Sequence, residues 1–302
     1  MKKIYLIFLI LINPVFAEDI SLTDYEVISH VKKLEKKKRK YTVSKITQEL
    51  IELGAETIKF SIDFYEPTKK ALNALVILSP TINGEGFVEK STAKFLVKNG
   101  FHVIVSEFRN LNNLNPVYDY SKEDEVIRAY EKGFFRPIAG ARLTLDYLKK
   151  DYNFDKVFAV GGSQGGIRST ILLGSIAEIR AAWVNVAGGD FPSLYAYSEV
   201  KQLVKDRAVH MKALNLTDKK DYEAYMRSRL KNDPMSACKK RKADLRMLIS
   251  LNDDSVPTSN QLKLWKACGK PEKREIKGGH VAGVLKLLTE KKKMLSFLKS
   301  YL

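Results

Sequence analysis

The chain has 302 residues, 45% of them apolar, and no low-complexity tract beyond its lysine runs, enough for one large domain with a sizeable core. Its 52 basic residues against 35 acidic ones give a net charge of +17, concentrated in runs at 36–40, 239–242 and 291–293. No nucleic-acid-binding motif accompanies that charge, so nucleic acid is not the expected partner; the runs read first as solvated helix faces, with weak association with anionic envelope surfaces as the alternative. Past the first residues no stretch is long and apolar enough to span a membrane as a helix.

The N-terminus has the layout of a cleavable signal peptide. Lys2 and Lys3 form a basic region, residues 4–11 an apolar run, and Val15-Phe16-Ala17 a cleavage site. The apolar run is well short of the roughly 20 residues a transmembrane helix needs. Cleavage near Ala17 removes residues 1–17 and leaves one domain over 18–302, delivered to the periplasm or beyond the cell.

Residues 18–40 read as a charged helical lead-in. Extended segments follow at 41–50 and 57–65, where Ile58, Phe60, Ile62 and Phe64 alternate with the period of a half-buried strand. Short, uniformly apolar runs at 74–78, 101–105, 157–160, 181–186 and 245–251 suit strands covered on both faces. Between them lie helical segments at 88–98, 122–150 with an interruption near Pro137, 164–179, 259–267 and 281–302. This alternation predicts a mostly parallel sheet wrapped by helices, an α/β class of fold. Residues 190–243 break the rhythm. They are polar, with Tyr195, Tyr197, Tyr222 and Tyr225 among helix formers, and read as a helical cap insertion. Cys238 and Cys268 each precede a predicted strand; a bridge between them is one reading and two separate buried thiols the other.

Gly161-Gly162-Ser163-Gln164-Gly165 satisfies G-x-S-x-G between a predicted strand and a predicted helix, the context of a nucleophile elbow. It lacks the ending of a P-loop and the spacing of a dinucleotide fingerprint, so a phosphate cradle is the weaker reading. A serine nucleophile needs a base. Of four histidines, His30 lies in the lead-in, His102 in a strand and His210 in the insertion; only His280 occupies a loop late in the chain, before the last helix. The acid falls after the strand at 245–251, with Asp253 favoured over Asp254, and Asp190 a third choice. For the oxyanion, one donor is the backbone N–H of Gln164, and the other lies in the loop 80–84, at Thr81 or Ile82. No metal or cofactor is required.

These residues resemble the α/β-hydrolase superfamily from the strand at 57 to the last helix. Asp146-Tyr147-Leu148 ahead of the elbow, and Asn252-Asp253-Asp254-Ser255-Val256-Pro257 followed by Gly278-Gly279-His280, look like its dienelactone hydrolase and acetyl xylan esterase branch. The resemblance implies an eight-stranded sheet with a cap inserted after the sixth strand. Ser250, where such sequences carry glycine, and the lack of a His-Gly-Gly run at the oxyanion loop are departures. The expected activity is hydrolysis of a carboxylic ester in a small acylated molecule through an acyl-enzyme. A serine peptidase of the prolyl-peptidase type is the nearest alternative, and a non-catalytic ligand-binding protein the second.

Overall fold

The computed structural model describes residues 25–52, 57–81, 86–110, 119, 121–230 and 232–302. The leader expected at 1–17, with its cleavage site, and the oxyanion candidate Ile82 lie outside the described residues.

The first described element corrects the expectation of a helical lead-in. Residues Tyr25–Lys37 form strand β1, which turns back at Lys38 to pair antiparallel along the whole of β2, Tyr41–Glu52. The density of lysine and glutamate imitates a solvated helix, but here it decorates an edge strand, where charge discourages pairing with another chain. Lys32 shows how the strand is held: its Nζ lies 3.6 Å from Glu66 and 4.8 Å from the centre of the Phe64 ring. Strand β3, Thr57–Pro67, follows antiparallel to β2. Its alternation resolves as expected, with Phe60, Ile62 and Phe64 buried under helices.

Beyond β3 the chain winds strands and helices alternately: β4 (Ala74–Ser79), α1 (Phe87–Lys98), β5 (His102–Asn110), α2 (Glu123–Leu148), β6 (Lys156–Gly162), α3 (Gln164–Ser175) and β7 (Ile179–Asn185). Four helices follow, α4 (Phe191–Tyr197), α5 (Lys201–Ala213), α6 (Lys219–Arg229) and α7 (Pro234–Lys239), before β8 (Asp244–Ser250), α8 (Thr258–Ala267), β9 (Glu272–Ile276), α9 (His280–Thr289) and α10 (Lys291–Lys299). The sheet order is β1-β2-β3-β5-β4-β6-β7-β8-β9, parallel from β5 onward. It therefore has nine strands rather than eight, the additional one being β1.

Every residue of β4 is buried because both faces of the sheet are covered. Leu75 and Ile77 join the core under α2 and α3, while Val76 and Leu78 join the core under α1, α9 and α10. One strand thus serves two cores, which is why its sequence does not alternate.

Helix α2 runs unbroken through Pro137. A proline in mid-helix removes an N–H and orphans the carbonyl four residues earlier. That carbonyl belongs to Gly133, and the Arg168 guanidinium donates to it at 2.9 Å from α3. The expected interruption is thus replaced by a bond between neighbouring helices.

Helices α4 to α7 occupy the stretch read as an insertion, between β7 and β8. Their tyrosines pack inward. Tyr195 stacks on Tyr130 of α2 at 3.8 Å between ring centres, and Tyr222 is fully buried with its hydroxyl 3.1 Å from His210 Nδ1. Burial pushes the Tyr222 phenol up to about 12, so it stays a neutral hydrogen-bonding group. Cys238 at the end of α7 and Cys268 at the end of α8 are joined in a disulfide, with Cα atoms 4.9 Å apart. Among the described residues no helix is long and apolar enough to cross a membrane.

Candidate active site

Ser163 occupies the hairpin bend between β6 and α3. Its backbone has φ 56° and ψ −128°, a left-handed region that costs a non-glycine residue of order 1–3 kcal/mol. The surrounding chain enforces that conformation: the Ser163 N–H donates to the Asn185 carbonyl on β7 at 2.9 Å, and its own carbonyl accepts from Ile167 in α3. The bend is tight enough to need glycine at 165, where a Cβ would overlap the Ser79 carbonyl oxygen at the end of β4.

His280 begins α9, on the far side of the sheet's carboxyl edge. Its Nε2 lies 2.8 Å from Ser163 Oγ, and its Nδ1 lies 2.8 Å from Asp253 Oδ2. An ionised carboxylate only accepts, so Nδ1 carries the proton and Nε2 faces the serine hydroxyl as an acceptor. The Asp253 side chain is wholly buried and Ser163 is 8% exposed, while the His280 side chain retains 18% exposure. The three residues picked out by motif and chain order therefore stand in one hydrogen-bonded line that reaches solvent at one end.

The carboxylate is held by more than the imidazole. Asp253 Oδ1 accepts from the backbone N–H groups of Ser255 and Val256 at 3.0 and 2.9 Å, and Oδ2 accepts from Gln261 Nε2 at 2.9 Å. Gln261, fully buried on α8, also donates to the Val256 carbonyl and accepts from the Ser250 N–H. Sequence reasoning missed this residue. The signal was available: a glutamine at a core-facing position of a short helix, three residues before buried Leu264, needs polar partners. Ser250 is the other addition. Its hydroxyl donates to the Gly278 carbonyl, tying the end of β8 to the loop that carries His280, which gives a use to the serine standing where glycine is expected.

The alternative acids lie elsewhere. Asp254 is exposed, and its carbonyl accepts from the Glu199 N–H. Asp190 is buried at the start of α4, with ion pairs to Arg227 at 2.8 Å and Lys263 at 2.5 Å, and it anchors the inserted helices. Nearby Asp233 accepts from the N–H groups of Asp190 and Phe191, and burial raises its pKa above the ordinary carboxylate value. The other histidines are also apart from the serine. His30 stacks on Tyr147, His102 on Phe64, and His210 meets Tyr222.

Of the oxyanion candidates, Gln164 is the first residue of α3, so its N–H has no acceptor within the helix and the positive end of the helix dipole lies at the serine. The Thr81 N–H donates to Glu89 Oε1 at 3.2 Å. Glu89 also takes the Gly86 N–H at 2.9 Å, fastening the loop before α1 to that helix. Thr81 is thus a latch on Glu89 rather than an open donor.

No protein-family model matches the sequence, and no curated protein matches it; similarity is found among solved structures. The chain resembles an acetyl xylan esterase from Paenibacillus sp. R4 with a TM-score of 0.68 at 15% identity, over 92% of this chain and 89% of the other. The chain has the α/β-hydrolase fold. Acetyl xylan esterase 1 from Thermoanaerobacterium sp. JW/SL YS485 is similar with a TM-score of 0.61 at 13% identity, over 88% of this chain and 90% of the other. An acylaminoacyl peptidase from Pyrococcus horikoshii is similar with a TM-score of 0.54 at 12% identity, over 91% of this chain and 50% of the other. In that fold the bend at Ser163 joins a central parallel strand to its following helix, and helices α4 to α7 lie between β7 and β8.

Proposed function

We propose that this protein is an exported serine carboxylesterase that works through an acyl-enzyme. The observation that carries the reading is His280, which bridges Ser163 Oγ and Asp253 Oδ2 at 2.8 Å on each side. Ser163 Oγ attacks the ester carbonyl as His280 Nε2 takes its proton. The negative oxygen of the tetrahedral intermediate is met by the N–H of Gln164 and, with Thr81 turned to Glu89, by the N–H of Ile82. Collapse expels the alcohol, which takes the proton back from Nε2. Water then repeats the sequence and releases the acid, restoring Ser163. Asp253 holds the ring in the tautomer that leaves Nε2 able to accept, and stabilises the imidazolium that forms. The substrate is a small acylated molecule, and residues 1–17 are removed on export, with a new N-terminus at Glu18.

The likeness to an acylaminoacyl peptidase favours a second reading, hydrolysis of an amide on the same three residues. Release assays with short-chain acyl esters and with aminoacyl anilides separate the two. The esterase reading expects kcat/KM for acetyl or propionyl esters to exceed that for anilides by at least about a hundredfold, lost in Ser163→Ala. Anilide turnover above ester turnover would overturn it in favour of the peptidase.

A further inference from the structure

One face of the sheet is covered by α1, α9 and α10, and the charges of these helices are one-sided. Helix α1 carries Lys90, Lys94 and Lys98, α9 carries Lys286, and α10 carries four more lysines. The carboxylates on or between these helices are Glu89 and Glu290, both buried. Glu89 is occupied by the Thr81 and Gly86 N–H groups, and Glu290 by Arg274 and Lys286. The exposed positions of α1 form a single stripe, Phe87, Lys90, Lys94 and Lys98, spaced three or four residues apart. Helix α1 packs on both α9 and α10, and Lys291 Nζ lies 5.2 Å from the centre of the Phe95 ring, so the three helices present one surface.

At one end that surface turns apolar. Phe87 is 78% exposed and Val281 69% exposed, and Leu285 follows one turn later on α9. Phe87 opens α1 directly after the loop proposed to hold the oxyanion, and Val281 is the neighbour of His280. Both helices start at the carboxyl edge of the parallel strands, so the apolar end lies on the edge of the sheet that carries Ser163 and His280. Helix α9 is apolar nearly all round, which a helix on the outside of a domain seldom is unless something covers it.

We infer that the α1, α9 and α10 face docks on an anionic lipid bilayer, with Phe87, Val281 and Leu285 entering the headgroup region and the lysines meeting lipid phosphates. An apolar edge backed by lysines is the pattern of interfacial binding, in which buried apolar area and attraction to anionic headgroups add. A second copy of this chain fits poorly, because a self-complementary contact sets lysines against lysines with no exposed carboxylate on these helices to meet them. A dissolved polyanion would use the lysines and leave the apolar end without a role. In the docked orientation the end of α9 that carries His280 faces the membrane. The inference does not depend on the esterase reading, since binding is read without turnover.

The test is sedimentation of the protein with vesicles of equimolar phosphatidylglycerol and phosphatidylcholine, and of phosphatidylcholine alone, at low and high salt. The protein is expected to sediment with the anionic vesicles and to be released by salt. Each lysine contributes about fivefold to such binding, so Lys94→Gln, Lys98→Gln and Lys292→Gln together are expected to weaken it roughly a hundredfold. Phe87→Ser with Leu285→Ser, which leaves the charge intact, is expected to weaken it about tenfold. All five positions are on the surface, and unchanged thermal unfolding verifies that the variants fold. Absence of binding, equal binding to both vesicle types, or insensitivity to the lysine changes overturns the inference. So does wild-type binding by the Phe87 and Leu285 variant, which would mark the face as a polyanion site.

Discussion

Replacing Asp253 by asparagine changes one atom's chemistry without changing shape, and the consequences follow from the four donors around it. Oδ1 faces the N–H groups of Ser255 and Val256, and Oδ2 faces Gln261 Nε2 and His280 Nδ1. With the asparagine carbonyl toward the two backbone donors, its NH2 confronts the Gln261 amide and the His280 ring. The reverse orientation sets NH2 against two fixed backbone N–H groups and is worse. The first arrangement therefore prevails, and His280 Nδ1 must become an acceptor. Its proton then sits on Nε2, pointing at Ser163 Oγ, and the ring can no longer act as a base. A wrong-tautomer histidine costs about 10⁴ in kcat, equivalent to about 5.4 kcal/mol of transition-state stabilisation at 1.36 kcal/mol per tenfold. Ester hydrolysis under saturating substrate reads kcat, with KM expected to change little. Asp254→Asn, at an exposed site, is the control and is expected to stay within twofold of wild type. Asp253→Asn retaining kcat within tenfold would refute the tautomer argument.

The remaining predictions concern the surroundings of that line. Gln261→Leu leaves the Ser250 N–H and the Val256 carbonyl without their buried partner, so a loss of roughly 3 kcal/mol of stability in urea unfolding is expected, with kcat lowered about tenfold through a less firmly held Asp253. Cys238→Ser with Cys268→Ser opens a loop of sequence separation 30, for a loss of about 3.6 kcal/mol by chain entropy and about a 6 °C fall in melting temperature. Wild type treated with dithiothreitol should match that variant. Acid sensitivity follows from His102, whose pKa is lowered by burial among Phe64, Tyr152 and Phe154. The unfolded chain takes up this proton first as pH falls below about 6.5, so stability is lost on acidification through that range and regained on return to neutrality. In His102→Phe the fall in urea midpoint between pH 7.5 and pH 5 is expected to be smaller than in wild type; an equal fall would rule out His102 as a source.

Much of this molecule is written in local sequence. The buried strands stand out as short apolar runs between glycines and prolines, because a parallel sheet covered on both faces tolerates nothing else. The bend at Ser163 is legible because its geometry restricts residue types, and chain order singles out His280, the histidine that meets it, from the others. What escaped did so where tertiary partners override local pattern. Strand β1 looks helical from its charge, and only its pairing with β2 makes it a strand. Pro137 looks like a helix break, and only Arg168, 31 positions along the chain, removes the reason for one. Thr81 looks like an open donor until Glu89 is brought against it by α1. Gln261 was hidden because its partners, Ser250, Asp253 and Val256, meet it only once the turn between β8 and α8 has folded back over the helix.

The central claim is that Ser163 is a nucleophile activated by His280. Labelling the purified protein with a fluorophosphonate, followed by mass spectrometry of its peptides, tests this most directly. One adduct per chain is expected, on the peptide holding Ser163, abolished in Ser163→Ala and slowed at least about a thousandfold in His280→Ala. An unlabelled wild-type protein, or an adduct on another residue that survives Ser163→Ala, would contradict it.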